Sequence, residues 1–187
     1  MKSSFLLSLL LAWPILVTAQ EKKALFAKNQ TDWEISGDAK WKIKKGVLYG
    51  NAASGEGYVI TKNTYANFVL TLEFKPDAQV NSGVFVLCKD KEMSATDCHE
   101  INIWDLHPNQ DNRSGSIVTK VKPMVYVETI DRWNTYEIRC EGETTTVRLN
   151  GEITAEYKGN PAPKGVIGLQ VAKEGRIAFR NVFLEAL

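Results

Sequence analysis

The chain of 187 residues is 44% apolar, and its 23 basic and 22 acidic side chains leave a formal net charge of +1. This apolar fraction is typical of a globular protein and excludes wholesale disorder and fibrous repeats. A charge so close to zero argues against a nucleic-acid-binding protein and against a polybasic membrane-surface protein, because both carry a basic excess. The length predicts one domain or at most two small ones.

The first nineteen residues are typical of a secretory signal peptide. A positive start at Lys2 precedes a mostly apolar run over residues 5–17, and Ala19 ends a small-residue cleavage motif. The alternative is an uncleaved membrane anchor, but the run is shorter than the roughly 20 residues that span a bilayer, and Pro14 interrupts it. We therefore expect cleavage, a secreted or periplasmic location, no membrane association after cleavage, and a single domain over residues 20–187.

Alternation of apolar and polar residues along the mature region predicts an all-β domain. In the clearest run Phe68, Leu70, Leu72 and Phe74 share one face, which is a period of two. No stretch of ten residues shows a helical stripe, and a single helical turn is expected at most at 62–66. Further strands are predicted, in chain order, at 41–43, 47–49, 58–60, 84–88, 100–104, 136–140, 145–149, 166–170 and 177–184. Many short strands separated by turns predict a two-sheet antiparallel β-sandwich or jelly roll.

Three cysteines are present, and an exported protein can form disulfides. Cys88 ends one predicted strand and Cys98 begins the next, so two antiparallel neighbours could bring them together. This favours a Cys88–Cys98 bridge and leaves Cys140 as a buried free thiol. Three buried free thiols remain the alternative.

Residues 97–107 carry the highest density of reactive side chains. In a strand Glu100, Asn102 and Trp104 point to one face, while the intervening isoleucines point to the core. An indole offers a flat apolar platform for a pyranose, and a carboxylate and an amide can bind hydroxyls. The pattern is compatible with a sugar-binding surface, and equally with the polar outer face of an ordinary strand whose Trp104 packs under a loop.

Other chemistries are disfavoured. No spacing matches a metal motif such as H-E-x-x-H, and the adjacent His99 and Glu100 should face opposite ways in a strand. We expect no cofactor, although Asp105, Asn109 and Asp111 could hold a structural Ca²⁺. A serine hydrolase is disfavoured because no G-x-S-x-G sequence occurs.

The spacing Glu100-x-Asn102-x-x-Asp105 is similar to the E-x-D-x-x-E strand of laminarinase-like glucanases. In those jelly-roll enzymes two glutamates flank the scissile bond. Here Asn replaces the middle acid and the shorter Asp replaces the last. The resemblance therefore implies a shared fold and cleft rather than shared chemistry.

Eight motifs follow one another between about residue 41 and residue 187. They are Tyr65-Ala-Asn-Phe-Val-Leu with Glu73-Phe-Lys75, Asn81-Ser-Gly-Val-Phe85, Glu100-x-Asn102-x-x-Asp105, Ser114-Gly-Ser-Ile117, Arg132-Trp-Asn134, Leu149-Asn-Gly151, Ile167-Gly-Leu-Gln170 and Phe179-Arg-Asn181. In this order they resemble the bacterial 3-keto-disaccharide hydrolase domain, and the chain is short for that group.

The resemblance implies a concanavalin-like jelly roll, export, and cleavage of glycosides whose 3-hydroxyl has been oxidised to a ketone. Such a reaction needs a general base, an acid for the leaving oxygen and donors for an enolate. On this hypothesis Glu100 is the base or acid, with Asp105 or His107 as its partner. The candidate substrate contacts are Glu73, Lys75, Asn81, Asn102, Trp104, Arg113 and Gln170.

Two alternative functions remain open at this stage. The first is a non-catalytic carbohydrate-binding module, and the second, less favoured, is a conventional glucanase. All three hypotheses share a sugar or glycoside as the partner, which suits a mature chain with 22 basic and 22 acidic residues once Lys2 is removed.

Overall fold

The computed structural model of the protein describes residues 22–25, 31–159 and 161–187, so the predicted signal peptide lies outside the described residues. The described part contains thirteen strands and one short 3₁₀ helix. The strands are β1 (Lys23–Ala24), β2 (Trp33–Gly37), β3 (Lys40–Lys44), β4 (Val47–Asn51), β5 (Gly57–Thr61), β6 (Phe68–Pro76), β7 (Val80–Cys88), β8 (His99–Ile103), β9 (Asn134–Glu141), β10 (Thr144–Leu149), β11 (Glu152–Lys158), β12 (Val166–Lys173) and β13 (Arg176–Ala186), and the helix is Gln110–Asn112.

These strands form two antiparallel sheets. The eight-stranded sheet has the order β11-β10-β9-β6-β13-β4-β3, with β1 added beside β13, and the five-stranded sheet has the order β2-β5-β12-β7-β8. The predicted all-β sandwich is confirmed, and each predicted strand is present. The prediction of a helical turn at 62–66 is wrong, because Tyr65 instead forms an antiparallel β-bridge with Gly165.

The core lies between the two sheets. Phe68, Leu70, Leu72 and Phe74 of β6 are fully buried, and Phe74 stacks on Tyr136 with ring centroids 4.6 Å apart. Alternate residues of β6 therefore point away from the core, on the outer face of the eight-stranded sheet. Each sheet has such an outer face, and the two outer faces lie on opposite sides of the molecule.

The buried Tyr136 links the core to β8. Its hydroxyl donates to the carbonyl oxygen of Asn102 at 2.6 Å and accepts from the amide of Gly115 at 2.8 Å. Burial raises the pKa of Tyr136 far above the ordinary value, so the hydroxyl keeps its proton. These bonds fix the strand that carries Glu100 relative to the loop that follows it.

Cys88 and Cys98 form a disulfide, and Cys140 is a buried free cysteine whose pKa is raised to about 12 by burial. The disulfide joins the end of β7 to the residue before β8. It closes the loop 89–97 at its base, so this loop leaves and rejoins the sheet at one point.

Candidate functional site

The outer face of the five-stranded sheet carries Glu100, and we call it the Glu100 face. Ile101 and Ile103 of β8 are buried in the core, so the alternate residue Glu100 points outward. In the register of the sheet Glu100 lies opposite Phe85 of β7, and Gln170 of β12 lies opposite Tyr58 of β5. Four neighbouring strands thus contribute side chains to one surface.

Two glycines lower the floor of the Glu100 face. A Cβ atom at Gly83 would lie 3.4 Å from Cγ of Glu100, and one at Gly168 would lie only 2.7 Å from Sδ of Met93. Gly83 therefore leaves room beside the carboxyl group. Gly168 lets the loop 89–97 lie close against the sheet.

That loop crosses the Glu100 face. Lys91 reaches the edge strand β2, where its Nζ lies 2.7 Å from Oε1 of Glu34. Met93 packs on a small apolar cluster that includes Phe85, and the carbonyl oxygen of Ala95 accepts from Nζ of Lys120 at 2.7 Å. The loop thus covers the part of the face around Phe85.

The carboxyl group of Glu100 has a strongly raised pKa. Its pKa is raised to about 7, first by burial and then by the negative charge of Glu56, while Lys120 acts in the opposite direction. Burial lowers the pKa of Lys120, and the charges of Asp97 and Glu100 partly restore it. A carboxyl group with a pKa near neutrality exchanges protons readily at physiological pH, as a general base requires.

A hydrogen-bonded network lies beside Glu100. Nε2 of Gln170 donates to Oε1 of Glu56 at 2.8 Å and to the Tyr58 hydroxyl at 3.1 Å, and that hydroxyl donates to Glu56. Burial raises the pKa of Tyr58, so it remains a neutral donor. Oε1 of Gln170 is buried and has no donor among the described residues, which makes it a ready acceptor for a ligand hydroxyl.

The structure brings only some of the predicted residues to this face. Asn81 lies on it, opposite Ala172, together with Glu100 and Gln170. Trp104 follows β8 at the end of the face, where Nζ of Lys173 lies 3.8 Å from its ring centroid. A sugar ring could stack on that side of the indole only after Lys173 moves.

Two predicted residues are used internally instead. Asn102 is buried and donates from Nδ2 to the carbonyl oxygen of Asn112, so its amide holds the 3₁₀ helix. The Arg113 guanidinium is buried and donates to Glu128 at 3.0 Å. It also lies 4.6 Å above the ring of Tyr126. Both side chains order the segments beside the face, and the prediction that they contact substrate is corrected accordingly.

Asp105 and His107 do not act as partners of Glu100 in this structure. The Asp105 carboxylate is 5% exposed and accepts from the amide and the hydroxyl of Thr129 at 2.6 and 2.9 Å. Nδ1 of His107 lies 2.7 Å from the carbonyl oxygen of Asn109. The loop after β8 turns these side chains toward neighbouring segments, which strand alternation could not foresee.

We expect Asp105→Asn to act on stability rather than on chemistry. An amide can accept only from one of the two Thr129 donors without repulsion, so the free energy of unfolding should fall by about 2 kcal/mol. Chemical denaturation measures this loss, with Asp111→Asn, an exposed carboxylate of the same loop, as the matched control. If the variant kept its stability but lost most of its activity, the prediction would be wrong and Asp105 would be a catalytic residue.

Glu73 and Lys75 are on the wrong side of the molecule to meet Glu100. Strand β6 belongs to the eight-stranded sheet, and its outer face is opposite the Glu100 face. Glu73 instead binds Arg180, with its Oε2 2.6 Å from the guanidinium, and accepts from Asn181. The alternation correctly predicted that both side chains point outward, but it does not tell which sheet a strand joins.

Three residues of the face were missed by sequence reasoning. They are Glu56 and Tyr58, which lie just before β5 and within it, and Lys120, which lies in the loop after β8. The weak signal for Glu56 is its position between Gly55 and Gly57 directly before a strand. No sequence pattern around Lys120 predicts its position on the face, because that position depends on how the loop 113–121 folds.

Two further features concern metals and membranes. Across residues 22–25, 31–159 and 161–187 no group of three or more His, Cys, Asp or Glu side chains is arranged to hold a metal ion. Within the same ranges no helix has the length and apolarity needed to cross a membrane.

The two antiparallel sheets form a jelly roll, a fold shared with glycosyl hydrolases and carbohydrate-binding modules. Residues 21–185 match the model of the 3-keto-alpha-glucoside-1,2-lyase-like domain, so the chain belongs to this family. The family resemblance of the eight motifs is thereby confirmed. No curated protein matches the chain.

Solved structures are similar over nearly the whole chain. A candidate glycosyl hydrolase from Parabacteroides distasonis is 29% identical with a TM-score of 0.78, over 89% of this chain and all of the other. The carbohydrate-binding module CBM66 from Bacillus subtilis is 15% identical with a TM-score of 0.67, over 86% and 99% of the two chains. A β-glucanase from Bacillus licheniformis is 12% identical with a TM-score of 0.62, over 91% and 99%. The last two similarities concern the fold alone.

Proposed function

We propose that this protein is an exported enzyme that cleaves 3-keto-glycosides by elimination and hydration, with Glu100 as the general base. The observation that carries the proposal is the carboxyl group of Glu100, whose pKa is raised to about 7 by burial and by the negative charge of Glu56. Membership of the 3-keto-alpha-glucoside-1,2-lyase-like family supports the substrate class. The signal-like first nineteen residues support export.

The reaction follows from the acidity that a 3-ketone gives to the hydrogen at C2. The Glu100 carboxylate removes this proton, and the electron pair of the C2–H bond forms an enolate with the ketone. The enolate then restores the ketone, a double bond forms between C1 and C2, and the C1 oxygen leaves with its bonding electrons and takes a proton from the medium. Water adds to C1 while C2 regains a proton from Glu100, which yields the free 3-keto sugar and regenerates the carboxylate.

The neighbours of Glu100 have complementary tasks in this scheme. Lys120 lies near enough to influence the charge of Glu100, and its ammonium group would stabilise the enolate oxygen. The free Oε1 of Gln170 would accept a hydrogen bond from a sugar hydroxyl. The loop 89–97 excludes water, which strengthens both interactions.

A non-catalytic carbohydrate-binding module is the second candidate function. The fold similarity to CBM66 favours it. The hydrogen bonds of Asp105 to Thr129 also favour it, because the last acidic residue of the glucanase-like motif is then not available to act on a sugar. The same engagement disfavours a conventional glucanase, which needs two carboxyl groups on either side of the scissile bond.

The test is an assay of the purified mature protein on a 3-keto aryl glucoside and on its unoxidised parent. We expect release of the aryl alcohol from the 3-keto compound only, because only the ketone acidifies C2. Binding of oligosaccharides without release would support the binding module, and cleavage of unoxidised β-glucans would support the glucanase. The intact mass of the exported protein, expected to begin at Gln20, tests the cleavage of the signal peptide.

A further inference from the structure

A cleft lies on the outer face of the eight-stranded sheet, on the opposite side of the sandwich from Glu100. It has a volume of about 600 Å³, within the range of ~300–1,000 Å³ that ligand sites occupy. Ala178 of β13 forms its floor and lies opposite Tyr49 of β4 on one side and Lys75 of β6 on the other. Because neighbouring strands are about 4.8 Å apart, these two walls stand roughly 10 Å from each other. We call this cleft the outer groove.

Two aromatic rings border the outer groove. Tyr49 is 45% exposed, and Trp133, in the segment before β9, also lines the groove. The guanidinium of Arg180 lies 3.9 Å from the ring centroid of Trp133, and two hydrogen bonds to Glu73 hold that guanidinium in place. Trp133 is therefore fixed by a cation–π contact and offers a rigid apolar surface of the kind on which pyranose rings stack.

The surroundings of the outer groove are basic. Lys75 and Arg176 line it, and the neighbouring strand β3 adds Lys42, opposite Tyr49, and Lys40, opposite Asn51. None of these four cations forms a salt bridge with another residue in the described part of the chain. Positive charge is thus concentrated here although the chain as a whole is nearly neutral.

The acidic groups of the outer groove only partly offset this charge. The Asp77 carboxylate accepts from the backbone amides of Gln79, Val80 and Arg176 at 2.8 to 3.1 Å, so it serves the turn between β6 and β7. Asp131 is the other acid of the lining. On the remaining strands of the same sheet the arginines have acidic partners, such as Arg139 with Glu141 at 2.7 Å. Four cations against two acids thus leave an excess of positive charge at the outer groove.

We propose that the outer groove binds an acidic polysaccharide. Pyranose rings pack on Tyr49 and Trp133, and carboxylate or sulfate groups on the sugars pair with Lys75 and Lys42. Aromatic platforms with adjacent cations match this ligand chemistry better than they match a neutral glucan, which would leave the cations without partners. The site is independent of the Glu100 face, because it lies on the other sheet.

The experiment measures binding of the mature protein to polygalacturonate, to chondroitin sulfate and to the neutral glucan laminarin by affinity electrophoresis and calorimetry. We expect binding to one or both acidic polymers, which distinguishes carboxylate from sulfate recognition, and weakening as salt rises from about 0.05 to 0.5 M. Lys75→Ala should weaken binding about tenfold, and Tyr49→Ala about fivefold. The control is Lys62→Ala with Lys164→Ala, two exposed lysines outside the groove, which should leave binding unchanged.

Tyr49→Ala should also keep wild-type turnover of the 3-keto substrate and a wild-type melting temperature, which separates this site from the Glu100 face and from a folding defect. The proposal is overturned by no binding to either acidic polymer, by equal binding to laminarin, or by binding that both groove variants leave intact. Tighter binding to duplex DNA or to anionic vesicles than to the polysaccharides would also overturn it and assign the basic groove to another class of partner.

Discussion

Glu100→Gln is expected to lower the rate of cleavage of a 3-keto-glycoside by about 10²- to 10⁴-fold, the range usual for loss of a general base. Glutamine has nearly the same shape as glutamate but cannot accept the C2 proton. Binding of the substrate should change little, because the hydroxyl contacts of Gln170 remain. Single-turnover rates and direct binding of the 3-keto substrate measure the two effects separately.

The pH profile gives this prediction a second readout. Only the ionised carboxylate can act as a base, so kcat/KM of the wild type should rise with pH through an apparent pKa of about 7. Glu56→Gln removes a negative charge that raises this pKa, so it should move the rise to lower pH without abolishing activity. A Glu100→Gln variant that keeps more than about a tenth of the wild-type rate would contradict the assignment of the base.

The alternation of residues was a reliable guide to the orientation of side chains within a strand. It placed Ile101 and Ile103 in the core and Glu100 outside, and the structure agrees at each position. The physical reason is that a strand buried on one face must repeat with a period of two. The sequence therefore predicted which strand carries the candidate base, and which way that base points.

The surroundings of Glu100 could not be predicted in the same way. Sheet membership is a property of the whole topology, so Glu73 was expected near Glu100 although it lies on the opposite sheet. The cause of the raised pKa is also partly non-local, since the charges of Glu56 and Lys120, which shift the pKa in opposite directions, come from segments outside β8. Alternation contains no information about such contacts.

Desolvation of Glu100 links the loop 89–97 to the proposed chemistry. The loop is closed by the Cys88–Cys98 disulfide and anchored on β2 by Lys91. Such a loop holds Met93 against Phe85, the residue opposite Glu100 in the sheet. The disulfide would thus help to keep the pKa of Glu100 raised as well as stabilise the fold.

Glu100→Gln is further expected to make the protein more stable than the wild type at high pH. The pKa of Glu100 is raised from 4.5 to about 7 in the folded protein, so the folded state binds the proton more tightly than the unfolded state does. The free energy of unfolding of the wild type therefore falls as pH rises from about 4.5 through about 7, and the loss reaches about 3 kcal/mol above that range.

Glutamine cannot ionise, so the stability difference between the variant and the wild type should be constant below pH ~4.5 and grow in favour of the variant up to pH ~8. His99, whose pKa burial lowers to about 4, destabilises both proteins as pH falls below about 6.5, and its contribution cancels in the difference. Urea denaturation of both proteins between these limits measures the curve. A difference that does not change with pH would mean that Glu100 ionises in the folded protein as easily as in the unfolded chain, and the basis for its role as a base poised near neutrality would be lost.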